Sequence, residues 1–118
     1  MRYLLMLHAD ETVGASMPPE QMKAAMDQMG AYVQALEKAG AFIATEALDF
    51  ASKSSLVTVR DGDTRVEDGP FAEAREQFGG YFIIEAANED EARKWAARCP
   101  GATWGTVEVR RIRDKDEY

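Results

Sequence analysis

The 118-residue sequence holds one cysteine, Cys99, and one histidine, His8. A single cysteine excludes an internal disulfide and a zinc site built on several thiolates. One histidine among scattered carboxylates falls short of a spaced metal-ligand set. No apolar stretch nears the roughly 20 residues needed to cross a bilayer. The opening apolar run is short, lacks a small-residue cleavage site and meets Asp10 and Glu11 at once, so it reads as a strand and not as a secretory signal. A lone thiol without such a signal predicts a cytoplasmic protein. Basic residues are the minority, 14 against 21 acidic, for a net charge of −7. That excludes nucleic acid and anionic membrane as bulk partners, since both require a positive field. No glycine-rich phosphate loop stands between a strand and a helix, so no cofactor is expected. No linker rich in proline, glycine or serine and no repeat divides the chain, and its length suits one domain.

What is present is patterned. Residues 2–8 read as a strand. Met22, Met26, Met29, Val33 and Leu36 recur at helical spacing, which predicts a helix over 18–39 and favours the core for the methionines over a flexible Met-lined pocket wall. Pro18 and Pro19 fit its first turn, Ser16 its cap and Gly40 its end. Residues 41–48 and 55–60 read as strands. Asp61-Gly62 then predicts a hairpin turn with a return strand over 64–67. A strand over 80–86 carries Tyr81, Phe82, Ile83 and Ile84. A helix over 88–98 opens with Asn88 and Glu91 as a capping box. Residues 104–113 complete the set as a strand.

The order is β-α-β, an extra hairpin, then β-α-β. Without the hairpin this is the split β-α-β arrangement of the ferredoxin-like fold, an α+β class. The strands Leu4-Leu5-Met6-Leu7 and Tyr81-Phe82-Ile83-Ile84 are apolar on both sides, as in sheets buried on both faces. In so short a chain the expected cover for the second face is another copy, giving a homodimer with sheets face to face.

The segment Asp68-Gly69-Pro70-Phe71-Ala72-Glu73-Ala74-Arg75-Glu76-Gln77-Phe78-Gly79-Gly80 is the most unusual in the chain. Asp-Gly-Pro after a strand is turn chemistry: Asp bonds nearby N–H groups, Gly frees φ and Pro fixes it. The segment resembles the DGPF group of the YCII-related family, with Ala74 and Arg75 where Thr and Lys are usual. The likeness continues in Arg2-Tyr3-Leu4-Leu5-Met6 with Asp10-Glu11, in Glu46-Ala47-Leu48, in Val57 to Gly62, in Trp95 to Pro100 and in Gly105 to Arg110.

The resemblance implies a dimeric α+β barrel and an enzymatic role resting on a His–Asp pair in a cleft. The Asp of that pair corresponds to Asp10, whereas Met29 stands near the position of the His, so the pair is not intact. Asp68 is the natural substitute as acid or base, with His8 and Asp10 as further polar groups. Gly69, Pro70, Phe71, Glu73, Tyr81 and Trp104 are the expected pocket residues. The expectation is a small-molecule-binding domain able to carry acid–base chemistry on a small metabolite. The alternative is a non-catalytic accessory protein, because genes of the DGPF group often lie beside those for extracytoplasmic-function sigma factors. Cys99, near a helix C-terminus, is not expected to be a nucleophile.

Overall fold

A computed structural model describes residues 1–71 and 74–118. The chain is a mixed α+β structure with antiparallel sheets. Strand β1 (Arg2–Ala9) leads through a short helix α1 (Glu11–Ala15) into the long helix α2 (Pro19–Lys38) and back along β2 (Phe42–Ala47). A hairpin of β3 (Ser55–Arg60) and β4 (Asp63–Asp68) follows, then β5 (Gln77–Glu85), α3 (Glu89–Arg98), one turn of helix α4 (Gly101–Trp104) and β6 (Thr106–Arg111). Strands β2, β5, β1 and β6 lie in that order in one sheet, while β3 and β4 form a separate two-stranded sheet. All the pairings are antiparallel.

Side-chain alternation along the strands sorts the main sheet into two faces. Tyr3 and Leu5 of β1 stand opposite Ile84 and Phe82 of β5, and all four are buried. Tyr32 and Leu36 of α2 and Ala92, Trp95 and Ala96 of α3 close over them. The Tyr32 ring meets Phe82 edge-on at 5.2 Å, and its hydroxyl donates to the Trp95 carbonyl at 2.7 Å. The opposite face carries Leu4, Met6, Tyr81 and Ile83, each half-buried. The molecule measures 48 × 46 × 19 Å, and its thin dimension matches two layers, one of helices and one of sheet.

Several local expectations are corrected. Ser16 does not cap α2; it ends α1, and its hydroxyl donates to the Thr12 carbonyl at 3.0 Å. Asp10 caps α1 by accepting the Thr12 N–H at 2.9 Å. The strand expected from residue 80 begins at Gln77, and the one expected from residue 104 begins at Thr106 because the chain adds the turn α4 first. The hairpin turn is as expected: Asp61 and Gly62 both have positive φ, 51° and 80°, the geometry of a two-residue turn that matches strand twist. The capping of α3 also matches in part. Asn88 accepts the Glu91 N–H at 2.9 Å, while Glu91 reaches back to the Ala87 N–H and not to that of Asn88.

Candidate functional site

Helix α2 is 20 residues long, or about 30 Å, whereas the edge strands β2 and β6 have six residues each, or about 20 Å. Its buried residues, Tyr32 and Leu36, both belong to its C-terminal half. The expectation that the methionine stripe belongs to the core holds for Met29, which packs against it, and fails for Met22 and Met26, which are 40% and 63% exposed. Met17, Met22, Met26 and Met29 wall an apolar cavity of about 220 Å³ with Phe50 and Trp104, and Asp10 and Gln77 supply polar groups to its lining. Met side chains are flexible and polarisable, and they make favourable contacts with aromatic rings.

The polar lining is held by local bonds. Asp10 accepts from both the backbone N–H and the hydroxyl of Thr12, at 2.9 and 2.6 Å. Those bonds stabilise the carboxylate and hold the Asp10 pKa below its ordinary value. The Glu11 N–H donates to Gln77 Oε1 at 3.1 Å, and the Glu11 carboxylate accepts the Ala51 N–H, which ties α1 to the start of β5 and to the turn after β2. Asp10 thus contributes an ionised carboxylate to a mostly apolar lining that also includes Glu11 and Gln77.

A second cavity, of about 340 Å³, lies where the hairpin joins the sheet. It is lined by His8, Ser54, Leu56, Pro70, Phe71 and Phe78 among others. Its formation depends on a β-bulge. Leu7 pairs with Gly80 but His8 pairs with Phe78, so Gly79 is the extra residue. The bulge turns Phe78 to the side of His8, with ring centroids 5.8 Å apart. His8 alternates with Ala9, which lines the first cavity, so the two cavities occupy opposite sides of β1.

The expected site residues are thereby divided. Asp10 and Trp104 line the methionine cavity, and His8, Pro70 and Phe71 line the second. Asp68 ends β4, exposed and paired with Ser55, and it lines neither cavity. Gly69 packs against Ser54, whose carbonyl accepts the Gly69 N–H at 2.9 Å. Tyr81 stands on the open sheet face, opposite Met6. Glu73 lies outside the described residues. The sequence favoured core packing over a Met-lined pocket wall, although four methionines within residues 17–29 were the signal for the cavity. Among the described residues, the grouping of carboxylates close enough for a metal ion is Asp114, Asp116 and Glu117, all exposed. Arg111 already engages both Glu117 oxygens, at 2.8 and 2.6 Å.

A family model described as the YCII-related domain matches residues 1–116. The chain belongs to the YCII-related domain family. An uncharacterized protein of Rhizobium meliloti (strain 1021) is 30% identical to it over 112 residues, covering 93% of this chain and 90% of that protein. Among solved structures it is similar to the 5-chloro-2-hydroxyhydroquinone dehydrochlorinase TftG of Burkholderia phenoliruptrix AC1100, in complex with 2,5-dihydroxybenzoquinone. The TM-score is 0.50 at 15% identity, covering 99% of this chain and 98% of that one, a likeness of fold. Within this YCII-related chain, the positions to which the resemblance assigned the Asp and the His, Asp10 and Met29, line one cavity. Among the described residues no helix is long and apolar enough to cross a membrane.

Proposed function

We propose that this protein is a cytoplasmic, homodimeric small-molecule-binding domain of the DGPF group. Its ligand is a single flat ring bearing a hydroxyl. The observation that carries this reading is the methionine-lined cavity of about 220 Å³ with an ionised Asp10 in its wall. Thioethers and two aromatic side chains suit a ring, and the carboxylate suits a hydroxyl donor. A protein of similar fold holds a dihydroxybenzoquinone, which favours a ligand of that size. Asp10 enters as a hydrogen-bond acceptor and weak base, since its bonds to Thr12 oppose protonation. Acid–base chemistry on a metabolite bound in this cavity would use that carboxylate, since Asp68 ends β4 outside its lining.

The DGPF assignment rests on Asp68-Gly69-Pro70-Phe71. The strand order β2-β5-β1-β6 supports a ferredoxin-like split β-α-β with the hairpin inserted between its halves. The half-buried apolar face of Leu4, Met6, Tyr81 and Ile83 supports a barrel-like dimer closed by a second copy.

A thermal-shift screen tests the ligand reading. Hydroquinone, catechol and 2,5-dihydroxybenzoquinone are compared with aliphatic lactones and hydroxy acids. A ring ligand at 100 times its Kd stabilises the fold by about 2.7 kcal/mol. Met29→Lys, which puts a charge into the cavity, is expected to abolish the shift, and Asp10→Asn to reduce it. Equal shifts in the native protein and Met29→Lys, or no shift with any ring, reject the reading. A shift lost in Asp68→Ala but kept in Met29→Lys moves the site to the loop.

A further inference from the structure

We propose that His8 is the proton acceptor of a second site, in the cleft of about 340 Å³ on the open sheet face, for a small ligand with a phenolic or enolic hydroxyl. The methionine cavity plays no part in this inference. His8 Nε2 lies 3.1 Å from Glu108 Oε1. The other Glu108 oxygen is held by Arg110. These bonds, that to Arg110 first and that to His8 second, hold Glu108 below the usual carboxylate range, so it is ionised at neutral pH. An ionised carboxylate only accepts hydrogen bonds, so Nε2 carries a ring proton, and in the neutral imidazole Nδ1 then holds the lone pair. A histidine oriented by a carboxylate that is itself clamped by a guanidinium is the arrangement general bases use.

The surroundings fit a ring. Leu56, Pro70, Phe71 and Phe78 are apolar walls, and Phe71 is 75% exposed, leaving its ring open to a ligand. Glu76 and Ser54 are the ionisable and hydroxyl groups of the lining beside His8. The Ser54 hydroxyl already donates to the Ala51 carbonyl. In the proposed step the ligand O–H bond breaks and an N–H bond forms at Nδ1. The electron pair stays on the ligand oxygen as a phenolate or enolate, and the new imidazolium lies between that anion and Glu108. No other reactant is needed. The site shares its sheet face with the proposed dimer contact and lies at the end of that face where the hairpin joins.

The test uses the full-length protein and 4-nitrophenol, whose ionised form is coloured. In buffer about one pH unit below the probe's own pKa, where about a tenth of it is ionised, native protein should raise the coloured fraction several-fold. The only histidine of the chain gives one set of ring ¹⁵N resonances, and these should move from the Nε2–H tautomer to imidazolium as the probe binds. His8→Gln should lose the colour gain at least tenfold. Glu108→Gln keeps the ring but loosens its tautomer, and it should lower the gain several-fold with a mixed-tautomer spectrum in the free protein. Circular dichroism confirms the fold of each variant. Should His8→Gln not fold, the native ¹⁵N titration and Glu108→Gln decide. No colour gain with native protein, an equal gain with His8→Gln, or an unchanged ring spectrum overturns the proposal. So does a gain abolished by Met29→Lys, which would place the probe in the other cavity.

Discussion

Tyr32 joins the two layers through both of its chemistries. Its ring packs on Phe82 and Trp95, and its hydroxyl satisfies the Trp95 carbonyl, so burial costs it no hydrogen bond. Burial also raises the phenol pKa well above its ordinary value, and the group stays neutral through the alkaline range. Tyr32→Phe keeps the ring contacts but removes one of two bonds to the Trp95 carbonyl, leaving the Cys99 N–H at 3.2 Å, which should cost about 1 kcal/mol by urea denaturation. A change below about 0.3 kcal/mol would mean that water replaces the hydroxyl. Cys99 is the opposite case. Desolvation pushes its thiol up, and it is buried against α2 and α4 as a small apolar group. The sequence led to the same view of its inertness, from its place at a helix end.

At the scale of elements, two glycines set the geometry of the cavities. Gly79 is the bulge that turns Phe78 toward His8. Gly105 lets the turn after α4 lie directly on the end of β1. A Cβ there would stand 2.1 Å from the His8 carbonyl oxygen and 3.1 Å from Ala9 Cβ. Both obstacles belong to a central strand, so Gly105→Ala must push β1 or β6 aside. It should destabilise the protein by about 1–3 kcal/mol and move the His8 resonances. A variant of native stability with an unchanged His8 spectrum would show that the turn relaxes freely. The α2 methionines illustrate why periodicity is insufficient here. Helical spacing correctly gives one face, but the face outruns the sheet it covers, so part of it packs in the core and part lines a cavity.

At the scale of the whole molecule, the Cα radius of gyration is 16.3 Å, against about 13.5 Å for a compact chain of this length. The hairpin contributes to the excess: Val57, Val59 and Val66 on it are all more than half exposed. A second copy over the open sheet face would make the particle more compact. Light scattering should give twice the chain mass, and Ile83→Lys, on that face, should give a monomer. A native protein of single-chain mass would refute the dimer. Acid should weaken the fold in a definite direction. Asp10, Glu108 and Glu117 all have lowered pKa values, through bonds to Thr12, to Arg110 and His8, and to Arg111 respectively. A lowered folded-state pKa gives stability that is present above the ordinary carboxylate value and lost as pH falls through the folded one. The melting temperature should therefore fall progressively below about pH 4.5, and less steeply in Arg111→Ala.

The sequence by itself determined the six strands, the helices α2 and α3 and their order, because helical and strand periodicities, the Asp61-Gly62 turn and the Asn88 cap are local signals; it did not mark the short helices α1 and α4. It did mark the segment from Asp68 to Gly80 as unusual, whereas the nearness of Asp10 to Met29 was implied only by the family resemblance. Only the tertiary structure decided where the chemistry lies. Whether a side chain faces core, cavity or solvent depends on how far each element overlaps its neighbours and on which residue of a strand is the extra one. Asp68, expected at the heart of a pocket, ends a hairpin strand beside Ser55, while its neighbours Pro70 and Phe71 form the wall. Glu108, 100 residues from His8 in sequence, reaches it because β1 and β6 are adjacent strands in a register that sets Met6 opposite Glu108. Strand pairing is a non-local choice, and it created the histidine–carboxylate pair that local pattern could not reveal.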